Sequence, residues 1–161
     1  MTVLVDTTIW SLALRRRAHQ LSPVETGLVE HWADLVTSGR AALIGPVLQE
    51  VLSGIRSDEV FEALNEKLSS FPYLETLPAD HVQAARFFNI CRSHGIAGSH
   101  VDMLICATAN RHDVPIFTTD PDFSGYARHL PIRLFDATTT PPANPRTAGA
   151  AGSPNSRSQR G

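Results

Sequence analysis

Short apolar runs alternate with longer helical patterns along most of this chain, and that alternation limits the folds open to it. Between the runs, apolar side chains recur at helical spacing over stretches of ten or more residues. Strands separated by such helices form a parallel sheet with helices covering both faces. We predict strands at residues 3–5, 41–44, 73–77, 115–118 and 132–135.

Local signals indicate where the helices begin and end. Ser22, Pro23 and Glu25 supply an N-cap, a first-turn proline and a capping-box acid, which predicts a helix from this point to just before Gly39. Further helices are predicted over residues 7–17, from Gly45, from a cap at Ser57, over 79–93 and over 99–111.

The last 25 residues, 137–161, differ in composition from the rest of the chain. They contain four prolines and none of the large apolar residue types. Such a segment buries too little apolar surface to offset the entropy lost on ordering it. We therefore predict one folded domain over residues 1–136 and a disordered tail over residues 137–161.

The predicted domain is acidic. It contains all 16 acidic residues, whereas three of the 14 basic residues lie in the tail, so its formal charge is −5. This charge argues against binding nucleic acid by phosphate attraction alone. A polyanionic substrate would need the charge of a metal ion or a local basic patch, for which the candidates are Arg15, Arg16, Arg17 and Arg56.

Nothing in the sequence predicts a membrane or secreted protein. No apolar run approaches the roughly 20 residues that cross a bilayer, and the chain begins with a strand rather than a signal segment. Cys91 and Cys106 lie in apolar helical patterns, where a free thiol behaves as a small hydrophobe. We expect a cytoplasmic protein with no membrane partner.

Five acidic residues stand where their carboxylates can meet at one edge of the predicted sheet. Asp6 follows the first strand, and Asp120 and Asp122 follow the strand at residues 115–118. Ligands of open α/β sheets bind beyond the carboxyl ends of the strands. Glu50 and Asp102 lie on predicted helices, and the residues after Asp102 are apolar all round. Because gathered acids repel one another, a divalent cation is the simplest explanation for the group.

Each acid also fits an ordinary structural role. Asp6 suits the N-cap of the first helix, and Asp102 suits a capping interaction at a later one. Glu50 suits a solvated helix face, while Asp120 and Asp122 are common turn residues. A carboxylate has two oxygens, so capping and metal binding are compatible.

Four segments form a further pattern when they are taken together and in order. They are VLVDTTIW at 3–10, VLQEVLSG at 47–54, DMLICATA at 102–109 and TTDPDF at 118–123, with 44, 52 and 18 residues between their principal acids. In order and context, these segments resemble the PIN-domain nucleases and, more narrowly, the VapC toxins of bacterial toxin–antitoxin modules.

The resemblance implies a three-layer α/β/α sandwich with a central parallel sheet, a Mg²⁺ or Mn²⁺ site, and endoribonuclease activity. By position, Asp6, Glu50, Asp102 and Asp120 match the family's acidic quartet, and Asp122 matches a frequent accessory acid. These carboxylates would hold one or two divalent ions for hydrolysis of an RNA phosphodiester.

The resemblance also implies partners, namely a cognate antitoxin protein and a second copy of the chain in a homodimer. An antitoxin segment would fill an apolar groove near the first helices. Trp10, Leu14 and Trp32 are candidates to line that groove, with ordinary core packing as the alternative.

Two other functions remain open from the sequence. A dehalogenase-like phosphatase would use Asp6 as its nucleophile, although that family's motif has a second aspartate where this chain has Thr8. A non-catalytic interaction module would use the acidic pocket only to dock a basic peptide. Trapping of an aspartyl-phosphate would favour the first, and peptide binding without metal binding would favour the second.

Overall fold

A three-stranded parallel sheet lies at the centre of the structure, a computed structural model that describes residues 1–138. The strands are β1 (Val3–Val5), β2 (Ala41–Ala42) and β3 (Ile116–Phe117), arranged in the order β2-β1-β3. Val3 lies opposite Ala41 on one side of β1, and Val5 lies opposite Phe117 on the other. The central strand is fully buried, as the run of three large apolar residues predicts.

Helices fill the connections between the strands. In chain order they are α1 (Thr7–Leu14), α2 (Pro23–Thr37), α3 (Gly45–Leu52), α4 (Asp58–Ser69), α5 (Pro78–Ser93), α6 (His100–His112) and α7 (Asp122–Tyr126). The predicted capping box of α2 is confirmed, because Ser22 and Glu25 each accept a hydrogen bond from the other's backbone amide. The Ser57 cap of α4 is confirmed as well.

Several predicted elements are shorter than expected, and the short helix α7 was not predicted. The stretches at 73–77 and 132–135 are not strands; each contributes one parallel bridge, Leu43 to Tyr73 and Ile116 to Leu134. Their neighbours β2 and β3 are only two residues long, so they offer little backbone to pair with. Helix α1 ends at Leu14 rather than residue 17, because the chain then turns back through a 3₁₀ turn at Ala18–Gln20 to enter α2.

An aromatic cluster joins α1 and α2 to the core. The Trp10 ring has no exposed surface, and its Nε1 donates to the Val5 carbonyl over 3.0 Å. It meets Trp32 edge-on with ring centroids 5.7 Å apart and Phe71 at 4.9 Å. Trp10 is therefore a core residue, which confirms the alternative of core packing that the sequence left open for it. Leu14 and Trp32 are partly buried against the same core.

A buried ion pair ties the start of α5 to the end of α6. Only 2% of Asp80 is exposed, and its two oxygens accept hydrogen bonds of 2.7 and 2.9 Å from Arg111. Burial alone would raise the pKa of Asp80, but the hydrogen bonds and charge of Arg111 outweigh it and hold the pKa below its ordinary value. The sequence pattern gave no sign of this pair, whose members are 31 residues apart.

The predicted tail lies outside the described residues, apart from Ala137 and Thr138. Ala137 packs partly against the core, and the boundary at residue 136 stays a prediction. Among residues 1–138, no helix combines the length and apolar character needed to span a membrane.

Candidate functional site

Asp6 lies at the carboxyl end of the central strand and is almost completely buried, with 5% of its surface exposed. It occupies the N-cap position of α1, but its side chain makes no capping hydrogen bond. Its Oδ2 instead accepts hydrogen bonds from the hydroxyls of Thr8, at 3.0 Å, and Thr118, at 2.8 Å. Burial raises the pKa of Asp6, the charge of Asp102 adds to the rise, and the hydroxyl bonds oppose it.

Thr118 connects the ends of β1 and β3. Its hydroxyl donates to Asp6 and accepts a hydrogen bond from the Asp120 amide over 3.0 Å. Asp120 in turn accepts from the Asp122 amide over 2.9 Å, which fixes the turn into α7. Thr118 therefore links Asp6, at the end of β1, to the backbone of Asp120, just after the end of the neighbouring strand β3.

Asp102 reaches the same region from the first turn of α6. It forms a capping box with Ser99, whose Oγ accepts from the Asp102 amide over 3.0 Å. The Asp102 carboxylate is close enough to Asp6 for its charge to raise the pKa of that residue. The capping role and a place in the acidic site therefore occur together in Asp102. Every residue from Met103 to Ala107 is buried, as predicted, and so are Thr108 and Ala109.

Glu50 borders the site from the solvent side. It is exposed, in agreement with the solvated helix face that the sequence also suggested, whereas its helical neighbours Val47 and Val51 are buried. Its Oε2 accepts a 2.6 Å hydrogen bond from the hydroxyl of Thr7, the residue next to Asp6. Glu50 therefore lies beside the start of α1 and not on a remote surface.

The acids fit a hard divalent cation in chemistry, although they do not enclose one. Within residues 1–138, no three metal-binding side chains stand close enough together to form a complete cage. Mg²⁺ does not need such a cage, because it is usually held by one or two carboxylates and keeps several waters. Asp6 and Asp102 meet that requirement, and a cation between them would relieve the repulsion and burial that disfavour ionised Asp6.

Cys106 lies beneath the site but does not contribute a ligand. It is completely buried, and burial first, followed by the charge of Asp102, raises the pKa of its thiol far above the ordinary value. The thiol therefore stays protonated, whereas a metal ligand must be a thiolate. This agrees with the expectation that both cysteines act as small hydrophobes.

A groove of about 520 Å³ opens beside the site, between α1 and α2. One end is lined by the hydroxyl residues Thr7, Thr8 and Thr119. At the other end, Arg16 and Glu25 form an ion pair over 3.3 Å.

Sequence analysis missed Tyr126, whose hydroxyl donates to Asp102 over 3.0 Å. It lies on α7, a helix of five residues that begins at the second aspartate of Asp-Pro-Asp. The only sequence signal was the spacing of Phe123 and Tyr126 by three positions, too short a pattern to separate a helix from a turn. Thr8 was also missed as a partner of Asp6.

Several solved structures have a similar fold. A chain of FitAcB from Neisseria gonorrhoeae gives a TM-score of 0.66 at 19% identity, covering 86% of this chain and 100% of that one. A chain of VapBC2 from Rickettsia felis, bound to a promoter DNA fragment, gives a TM-score of 0.61 at 14% identity, covering 84% of this chain and 98% of that one. Mycobacterium tuberculosis VapC20, a sarcin-ricin loop cleaving toxin, gives a TM-score of 0.59 at 21% identity, covering 82% of this chain and 99% of that one. At these identities, the likeness shows the fold alone.

Sequence comparison gives the family. No curated protein matches the chain significantly. Residues 3–129, however, match the PIN domain family, and this span contains all five predicted site acids. The predicted family and the predicted α/β/α class are thereby confirmed. The chain belongs to the PIN-domain family.

Proposed function

We propose that this protein is a divalent-metal-dependent endoribonuclease and the toxin of a bacterial toxin–antitoxin module. The observation that carries the proposal is the buried Asp6 at the end of the central strand, within charge range of Asp102. A PIN-domain chain with this pair has the donors for metal-assisted hydrolysis of a phosphodiester. The similar toxin structures support the narrower assignment to a toxin.

Asp6 and Asp102 would hold the cation, which we take to be Mg²⁺ or Mn²⁺, directly, and Glu50, Asp120 and Asp122 would act on it through bound waters. When bound, the ion supplies the Lewis acidity that activates water and neutralises charge on the phosphate. The hydroxyls of Thr8 and Thr118 stabilise the ionised form of Asp6, the form that a metal requires. Glu50, exposed and held by Thr7, can position a water at the open side of the site.

RNA would enter through the groove between α1 and α2. The acidic domain repels a phosphate backbone, so approach depends on local cations. Arg16 lines the groove, and its neighbours Arg15 and Arg17 are exposed. Proteins that read RNA sequence usually bind loops or single strands, so we expect a looped target.

Such a toxin would act in the cytoplasm as a homodimer. Its activity would be inhibited by its antitoxin.

The phosphatase alternative finds no support in the geometry. The position where its second aspartate would stand is Thr8, and the hydroxyl of Thr8 donates to Asp6 instead. Asp6 is also buried and bonded on one oxygen by two hydroxyls, whereas a nucleophile has to reach a phosphorus atom. The docking-module alternative is separated from the enzyme by the experiment that follows.

Purified full-length protein should cleave RNA with Mg²⁺ or Mn²⁺ and lose that activity with EDTA. Asp102→Asn keeps the side-chain shape but removes the charge, so we expect its cleavage rate to fall at least about 100-fold. The measurement is the initial rate on a labelled RNA that contains structured loops. Equal rates for the wild type and Asp102→Asn, or cleavage that persists in EDTA, would contradict the proposal. Peptide binding without metal binding would favour the docking module.

Thr118→Val should weaken catalysis through Asp6. The substitution keeps the side-chain shape and removes a hydroxyl bond that lowers the pKa of Asp6, so that pKa rises further. We expect a rate about tenfold lower at neutral pH, with the acidic limb of the pH–rate profile moved to higher pH. Thr37→Val is the matched control, because its hydroxyl bonds only within α2. An unmoved acidic limb would exclude this role for Thr118.

A further inference from the structure

Tyr126 is a completely buried residue whose one polar atom points into the acidic site. Its hydroxyl donates to Asp102 Oδ2 over 3.0 Å. An ionised carboxylate can only accept hydrogen bonds, so the phenol O–H is the donor in this contact.

The two oxygens of Asp102 have different surroundings. Oδ2 accepts from the Tyr126 hydroxyl and, over a longer 3.4 Å, from the Ser99 amide. Among residues 1–138, no hydrogen bond reaches Oδ1. One oxygen is thus held by the protein, while the other keeps its lone pairs for a ligand.

The Tyr126 ring is itself held in place by its packing. It meets Phe123 edge-on with centroids 5.3 Å apart on the short helix α7. Gly98 faces the ring from the loop before α6, where a Cβ would lie 3.4 Å from the Tyr126 Oη. That distance is an ordinary van der Waals contact, so the loop at Gly98 packs closely against the hydroxyl end of the ring. The donor is therefore fixed in direction before any ligand arrives.

We infer that Tyr126 is a positioning residue that orients the Asp102 carboxylate so that Oδ1 faces the divalent cation. The inference rests on the proposed function, because it assigns Asp102 to a metal site. Hydrogen-bond partners of metal ligands fix ligand orientation, and losing one typically costs 10- to 100-fold in metal affinity or activity. Tyr126 would thereby make metal binding depend on α7, which begins at the site acid Asp122.

The test is Mn²⁺ titration of the full-length protein by calorimetry, with Tyr126→Phe compared with the wild type. This change removes one oxygen and keeps the ring, so we expect the fold to persist and the Kd for Mn²⁺ to rise about tenfold or more. RNA cleavage should need correspondingly more Mn²⁺, while kcat at saturating Mn²⁺ stays near the wild-type value. Tyr73→Phe, at the other tyrosine of the chain and half-exposed outside the site, is the matched control.

A second measurement does not depend on the stability of Tyr126→Phe. Because the chain has two tyrosines, 3-fluorotyrosine incorporated into the Tyr73→Phe background labels residue 126 alone. Its ¹⁹F resonance should shift when Mg²⁺ is added and return when EDTA is added.

The outcomes separate this inference from the proposed function. If the wild type neither binds Mn²⁺ nor cleaves RNA, the proposed function fails and the inference falls with it. If the wild type does both and Tyr126→Phe binds Mn²⁺ with the wild-type Kd, only the inference fails, even if the variant melts at a lower temperature. If the protein binds Mg²⁺ but the ¹⁹F resonance of residue 126 does not shift, the role of Tyr126 is also overturned.

Discussion

Asp6→Asn should abolish RNA cleavage and, in metal-free protein, raise the thermal stability of the fold. Loss of activity, by at least about 100-fold, follows from removing a metal-binding carboxylate. The gain in stability follows from burial, since folding moves the Asp6 carboxylate out of water and next to the charge of Asp102. Asparagine keeps the shape without that charge. A loss of activity together with a gain in stability would show that Asp6 has a catalytic role and not a structural one.

The stability gained by Asp6→Asn should depend on pH. Because the pKa of Asp6 is raised in the folded state, wild-type stability is lost as pH rises from the unfolded value of about 3.9 through the folded pKa. The advantage of Asp6→Asn should therefore be absent in acid and present at neutral pH. Thermal unfolding in EDTA at several pH values measures it, with Asp34→Asn on α2 as control. An Asn variant that is less stable at neutral pH would refute this account of Asp6.

Asp80→Ala should destabilise the protein more than any change at the site. It removes the charged partner of Arg111 together with the acceptor for the Leu77 amide at the start of α5. We expect a loss of about 2–3 kcal/mol, at the low end for a buried pair because 32% of the Arg111 side chain is exposed. Urea unfolding measures the loss. Arg16→Ala, which breaks the exposed pair with Glu25, is the control and should change little.

The same pair predicts a response to acid of the opposite sign to that of Asp6. The pKa of Asp80 is lowered in the fold, so its contribution is complete above the unfolded value near 3.9 and is lost as pH falls through the folded value. The stability difference between the wild type and Asp80→Ala should narrow as pH falls below about 4. A difference independent of pH would mean that packing, and not charge, explains the loss.

The elements that the sequence predicted well are those specified by neighbouring residues. The capping boxes at Ser22 and Ser99 need only residues three positions apart, and both are present. The apolar run of β1 is short and unbroken, which is sufficient to predict a buried strand. By contrast, the edges of the sheet were predicted too long. Whether Tyr73 extends a strand depends on the length of β2, a property that the local pattern does not contain.

In the site too, some features follow from local sequence and others from distant contacts. Asp6 and Asp120 could be assigned to one edge of the sheet because parallel strands end at the same edge. The hydroxyl bond from Tyr126 to Asp102 joins positions 24 residues apart and depends on how a five-residue helix packs. Likewise, the partnership of Asp80 and Arg111 arises from the contact of two helices and not from either helical pattern. Long-range side-chain partners therefore had to come from the structure.

The separation of Asp6 from Thr118 along the chain determines when, during translation, the surroundings of Asp6 can be completed. The two side chains are 112 positions apart, and the central strand stays unpaired on one side until β3 has left the ribosome. Asp6, Glu50 and Asp102 are made before that point. A nascent chain that has not yet released β3 therefore lacks the Thr118 hydroxyl that stabilises the ionised form of Asp6.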